Sequence, residues 1–188
     1  MPDPYAPLAA MIYGPGRGPE MDRILETLAH GLSADGLQLA GAVQHTAHVP
    51  SSPRCDMVLE DLGTGGIHPI SVDPGIDVQG CRMEPGRIET LAGLASEAVD
   101  RGADVFLLNR FGKNEIAGRG YREVISDAVG RGVPVLVGVS AANIAKWDAF
   151  ASMGYDRLDI DGAAARTWCM KAVEARRRQK EQSCLMKT

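Results

Sequence analysis

Residues 8–22 read LAAMIYGPGRGPEMD, and the reading of this stretch decides the fold. The run 8–13 is apolar, as a buried strand requires, and Gly14-Pro15-Gly16-Arg17-Gly18-Pro19 is a turn. Met21, Ile24, Leu25, Leu28 and Leu32 then recur at the spacing of an amphipathic helix, with Pro19 placed to start it. Strand, glycine turn and helix in that order open a parallel α/β sheet. The helix N-terminus then lies over the carboxyl end of the strand.

Outward from there the alternation continues. GLQLAGAVQ (36–44) predicts a second strand, and CDMVLEDLGTGGIHPISV (55–72) predicts a hairpin turning at Gly63-Thr64-Gly65-Gly66. An irregular loop (73–85) leads to a helix with Ile88, Leu91, Ala95, Ala98 and Val99 on one face, closed by Arg101-Gly102. ADVFLLN (103–109) and VPVLVGV (133–139) are continuous apolar runs, the pattern of parallel strands covered on both faces. Between them a helix carries Tyr121, Val124, Ile125, Ala128 and Val129 on one side and ends at Gly130 or Gly132. Helices around 141–152 and 162–181 complete the chain. The expected architecture is a mainly parallel sheet flanked by helices, interrupted by one β-hairpin. Residues 1–153 form the α/β domain and 154–188 a helical extension.

Composition narrows the function. The chain has 188 residues, 45% apolar and 23% charged, with a net charge of −4. That size suits one well-buried domain. A weakly acidic chain does not suit duplex nucleic acid, so any anion site is local, and Arg176-Arg177-Arg178 reads as a solvated helix end. No apolar stretch spans a bilayer and the N-terminus lacks signal-peptide character, so the expected setting is the cytoplasm. Cys55, Cys81, Cys169 and Cys184 form no CxxC pair. No His lies at ligand spacing from a Cys, so a structural zinc site is not expected; His45, His48 and His68 have no ligand-like partner in sequence, and His30 reads as a dipole partner at the end of its helix.

Ligands of parallel sheets sit beyond the carboxyl ends of the strands, which brings Gly14–Gly18 and the loop after residue 108 to one rim. The glycine turn points N–H groups at the helix N-terminus, a place for an anion. Hydrolysis of a triphosphate needs Lys and then Ser or Thr after the last glycine; here Pro19 and Glu20 stand there, and efficient ATP hydrolysis is not expected. The second loop, NRFGKNEIAGRG (109–120), collects Arg110, Lys113 and Arg119, with Arg122 just beyond. Gathered guanidinium groups repel one another unless an anion neutralises them. Glu115 either pairs with Lys113 or acts as a base toward water, and pairing is the favoured reading. Cys55 and Cys81 each adjoin an arginine, which favours thiolate and hence metal binding or a reversible disulfide; a small buried apolar side chain is the alternative for Cys55.

The layout is similar to the small nucleoside-triphosphatase family of the phosphate-loop class. Its late motif resembles DVFLLNRFGKNEIAGRGYREVI (104–125), with Asn109 and Arg110 at the positions of an acidic pair. The missing acid implies loss of the group that organises magnesium-bound water. More closely, the chain to about residue 152 resembles a bacterial family described as a domain of unknown function. The shared motifs are Arg54-Cys55-Asp56-Met57, Gly80-Cys81-Arg82-Met83, Asn109 to Arg122, and Trp147-Asp148-Ala149-Phe150. Members of that family often accompany molybdate-uptake or molybdenum-enzyme genes, which implies handling of molybdenum oxyanion.

The sequence therefore leads to a molybdate-binding protein of molybdenum homeostasis or storage, without catalytic residues. The alternative is a nucleotide- and magnesium-binding protein with weak or degenerate triphosphatase activity. The expected anion-binding set is Gly14, Gly16, Arg17, Gly18, Arg54, Arg82, Asn109, Arg110, Lys113, Glu115, Arg119 and Arg122, with Cys55 and Cys81 as metal or redox groups. Expected partners are a small inorganic oxyanion, a second copy of the chain, and molybdenum-enzyme or transporter components.

Overall fold

A computed structural model describes residues 7–45, 57–72 and 82–185. Its main sheet has seven strands in the order β4-β3-β2-β7-β8-β1-β9. The strands are β1 (Leu8–Tyr13), β2 (Leu39–Gln44), β3 (Val58–Asp61), β4 (Gly66–Pro69), β7 (Val105–Leu108), β8 (Val135–Ser140) and β9 (Asp156–Leu158). Strands β2, β7, β8, β1 and β9 run parallel, while β3 and β4 form an antiparallel hairpin on the β2 edge. The fold is the mixed α/β, mostly parallel sheet flanked by helices, with a β-hairpin at one edge, that the sequence predicts. A separate two-stranded ribbon joins β5 (Ser71–Val72) to β6 (Arg82–Met83).

The period-2 side-chain alternation of a strand splits the core into two layers. Phe106 and Leu108 of β7, with Val135, Val137 and Val139 of β8, face α2 (Pro85–Asp100), α4 (Arg122–Gly130) and α5 (Ile144–Phe150). Val105 and Leu107, with Met11 and Leu136, face α1 (Gly18–Ala34) and α6 (Gly162–Leu185). Each such side chain contributes about 1.5–3 kcal/mol on burial, so the two apolar runs at 103–109 and 133–139 hold both layers to the sheet.

Besides the β5–β6 ribbon, which puts a strand at 82–83 where an irregular loop was expected, two elements differ from the sequence reading. The loop after β7 contains a four-residue helix, α3 (Lys113–Ile116), where only irregular chain was expected. Residues 156–158 form an edge strand paired with β1, and α6 packs on α1 through Ala165, Cys169 and Val173, with Arg166 paired to Asp35. Residues 154–185 thus belong to the sheet and its helical cover.

Candidate functional site

The carboxyl ends of β1, β8, β7 and β2 meet at one rim. At β1 the chain turns through Gly14-Pro15-Gly16-Arg17, where the Arg17 N–H donates to the Gly14 carbonyl (3.3 Å) and Gly16 takes φ +77°. Proline at the second position and positive φ at the third define a type II turn. The turn therefore closes on itself and spends the Arg17 N–H internally. At the start of α1 the first unbonded donors are those of Gly18 and Glu20, since Pro19 has none. Arg17 is exposed and ion-paired with Glu20 at 2.7 Å.

Asp22, one turn into α1, organises the rim. Its Oδ1 accepts from Asn109 Nδ2 (2.6 Å) and its Oδ2 from Arg110 Nη2 (2.6 Å), while the backbone N–H of Gln44 donates to Asn109 Oδ1 (2.6 Å). The helix, the end of β7 and the end of β2 are tied together through one buried carboxylate and one buried amide. Arg110 lies across Gly18: a Cβ added there would stand 3.3 Å from Nη2. Burial pushes the Tyr13 hydroxyl above its ordinary value, with Arg110 opposing and Asp22 reinforcing the rise.

Gly138 allows this approach. It lies opposite Asn109 across β7 and β8, and a Cβ on it would stand 2.0 Å from the Asn109 carbonyl oxygen. Its own carbonyl accepts the Phe111 N–H at 2.9 Å. Phe111 is then driven into the core, edge-on to Trp147 (5.1 Å between centroids) and stacked on Phe150 (5.3 Å). The aromatic anchor fixes where Asn109 and Arg110 leave the strand.

Of the expected anion-binding residues, the structure gathers Gly14, Gly16, Gly18, Asn109 and Arg110 at this rim and adds Asp22. Arg122 instead donates to the Glu115 carbonyl (3.1 Å) and lies over the Phe150 ring at 4.5 Å. Lys113 and Arg119 are exposed on and after α3. Arg82 lies in β6 through its backbone pairing with Val72. Arg54, Cys55 and Cys81 lie outside the described residues.

Glu115 does not pair with Lys113 among the described residues. Its carboxylate accepts the N–H groups of Gly112 (2.9 Å) and Tyr121 (3.2 Å), closing both ends of the α3 loop. Burial raises its pKa above the ordinary glutamate value, and these N–H bonds oppose the rise. A folded-state value above the unfolded one means the native chain takes up the proton first. The favourable contribution is complete below the unfolded value and fades as pH rises through the folded one. Wild-type stability should therefore gain from this group on acidification from neutral pH toward the ordinary carboxylate range. Glu115→Gln should lose that slope in denaturation curves taken between pH 7 and 5. It should also lose about 1–3 kcal/mol at pH 7, because an amide NH2 faces one N–H donor.

Residues 8–168 match the family described as "Protein of unknown function (DUF2478)". The chain belongs to that family. This DUF2478 protein is also 28% identical over 143 residues to the "Molybdenum import ATP-binding protein ModC 2" of Bradyrhizobium diazoefficiens. The match covers 76% of the present chain and 16% of the relative, so the chain spans about a sixth of that protein's length. Among solved structures it is similar to THEP1 from the hyperthermophile Aquifex aeolicus, with a TM-score of 0.58 and 16% identity. That likeness covers 81% of this chain and 90% of THEP1, and it is a likeness of fold.

Asp22 is the residue of the candidate site that the sequence reading missed. The helical pattern assigns it to a polar face, yet Asp22, Glu26 and His30 recur every four residues on α1. A carboxylate in the second turn after a glycine loop, aligned with two further ligand-type side chains, was the available signal.

Proposed function

We propose that this DUF2478 protein binds the phosphates of a nucleotide over the Gly14–Gly18 turn and hydrolyses it slowly or not at all. The observation that carries the reading is the placement of Arg110 across Gly18 at the N-terminus of α1. There a phosphate meets helix N–H groups, the positive end of a 17-residue helix and a guanidinium. The likeness to the THEP1 fold and the "ATP-binding" of the relative's name support a nucleotide over a free anion. Pro19 and Glu20 occupy the positions of the missing lysine and hydroxyl, and Asn109 stands at the end of β7 where magnesium chemistry calls for an acid. Hydrolysis lacks its usual groups.

Asp22 is the internal competitor for Arg110. Asp22→Asn keeps an acceptor for Asn109 but releases the guanidinium. It is expected to tighten binding of a phosphate ligand about tenfold, equal to about 1.4 kcal/mol. The stability loss should be about 1 kcal/mol, since Arg110 is 44% exposed and such pairs are weak. Arg110→Ala should weaken binding by a similar factor.

Molybdate is the second reading, favoured by "Molybdenum import" in the relative's name; a tetrahedral dianion would use the same donors. Titration calorimetry with ATP, ADP, molybdate, tungstate and sulfate separates the two. Saturable ATP binding lost in Arg110→Ala, with no magnesium-dependent phosphate release above background, supports the nucleotide reading. Binding of molybdate but not ATP transfers the site to the oxyanion, and binding of neither removes both.

A further inference from the structure

We propose that Glu26, His45 and Glu60, with His30 beside them, form a divalent-metal site distinct from the glycine loop, zinc being the favoured ion. Glu26 and His30 are consecutive members of the α1 stripe that begins at Asp22. His45 follows the last residue of β2, and Glu60 lies in the neighbouring β3. Three ligand atoms, one each from Glu26, His45 and Glu60, lie within 4.8 Å of one another. His45 Nδ1 is 3.1 Å from Glu26 Oε1 and 3.7 Å from Glu60 Oε2, and the same Glu60 oxygen is 3.0 Å from His30 Nε2. Zinc bonds of about 2.0–2.2 Å in tetrahedral array place ligand atoms about 3.3–3.6 Å apart. The observed separations bracket that range.

The chemistry of the cluster also asks for a cation. Two carboxylates converge on the His45 imidazole, with side-chain exposures of only 12% and 14% for the two glutamates, and His30 meets the Glu60 oxygen as well. One Nδ1 can serve one of them as a neutral donor. Yet Nδ1 is buried and makes no hydrogen bond of usable geometry among the described residues. A metal at the centre takes that nitrogen's lone pair and neutralises both carboxylates at once. Imidazole with carboxylate suits zinc and its first-row neighbours better than magnesium, which prefers oxygen ligands and keeps its water. His30 and Glu60 also line a groove of about 340 Å³ beside the β3–β4 hairpin.

The test uses the full chain, stripped with a chelator and titrated calorimetrically with Zn2+ in excess Mg2+. The expected result is one Zn2+ per chain. His45→Gln and Glu26→Gln should each weaken it more than about tenfold, since even an outer-shell change has such an effect. His68→Gln, on β4 and outside the cluster, should leave it unchanged. Co2+ substituted for zinc should give ligand-field bands of a nitrogen–oxygen site without thiolate charge transfer; this measurement on the wild-type chain decides the matter even if a variant misfolds. Absence of saturable Zn2+ binding overturns the proposal. So does binding that survives His45→Gln and disappears in Cys55→Ser or Cys81→Ser. The nucleotide titrations are read separately, so either proposal can fail alone.

Discussion

Gly138→Ala is expected to lower the melting temperature by about 6–12 °C. The added methyl would stand 2.0 Å from the Asn109 carbonyl oxygen, and that oxygen is backbone, so no rotamer change relieves the overlap. Either β8 separates from the end of β7 or the chain at Asn109 is displaced. Forced overpacking costs about 1–3 kcal/mol and occasionally more, and an overlap with backbone puts this site at the upper end, about 3 kcal/mol; each kcal/mol shifts the midpoint of a chain this size by about 2–4 °C. Because Asn109 and Arg110 leave β7 at this point, ligand affinity should fall together with stability. Gly93→Ala is the internal control. It lies exposed within α2 with nothing within 4 Å of the added carbon, and the change should stabilise by about 0.5–1 kcal/mol. Calorimetric scans of the two variants should therefore move in opposite directions; equal, small shifts would contradict the close approach at Gly138.

Phe111→Ala should be comparably severe, costing about 3–5 kcal/mol in urea denaturation. The ring is 1% exposed and meets both Trp147 and Phe150, so truncation leaves a cavity between β8 and α5. Two further consequences follow from position. Phe150 loses its stacking partner while it carries the Arg122 guanidinium, and Arg110 loses the anchor that follows it directly in the chain. Phe111→Leu, which refills much of the volume, should recover most of the stability and less of the ligand affinity. A loss below about 1 kcal/mol for the alanine variant would mean that the aromatic cluster does not hold this corner.

The fold was legible where hydrophobic pattern carries the information. The apolar runs at 103–109 and 133–139 can be satisfied only by strands covered on both faces, and the helix period from Met21 to Leu32 is unbroken. The elements missed lack such a signal. Residues 156–158 form an edge strand whose Asp156 and Arg157 are exposed, so no alternation marks it. Helix α3 is short and is defined by the Glu115 carboxylate reaching back to the Gly112 N–H.

The site was legible in part. Gly18, Asn109 and Arg110 were named from their loops and do meet. Pairing of the arginines with carboxylates nearby in sequence, such as Arg122 with Glu123, was the expected alternative to an outside anion; the partners in the structure are Glu20 for Arg17, the distant Asp22 for Arg110, and the Phe150 ring beneath Arg122. Pairings of 88 residues, such as Asp22 with Arg110, leave no local pattern to read. The Glu26–His45–Glu60 cluster is hidden for the same reason, since its members come from three elements that only the sheet brings together.

For the proposed nucleotide site, the Asp22–Arg110 link has a kinetic consequence as well. Because the guanidinium already has a counter-ion of its own, the rim projects little positive field into solvent, and the proposed anionic ligand gains little long-range guidance. Binding becomes an exchange of one anion for another, completed only after contact. Association rates should consequently vary little with ionic strength, whereas Asp22→Asn, by unmasking the arginine, should make them fall steeply as salt is added.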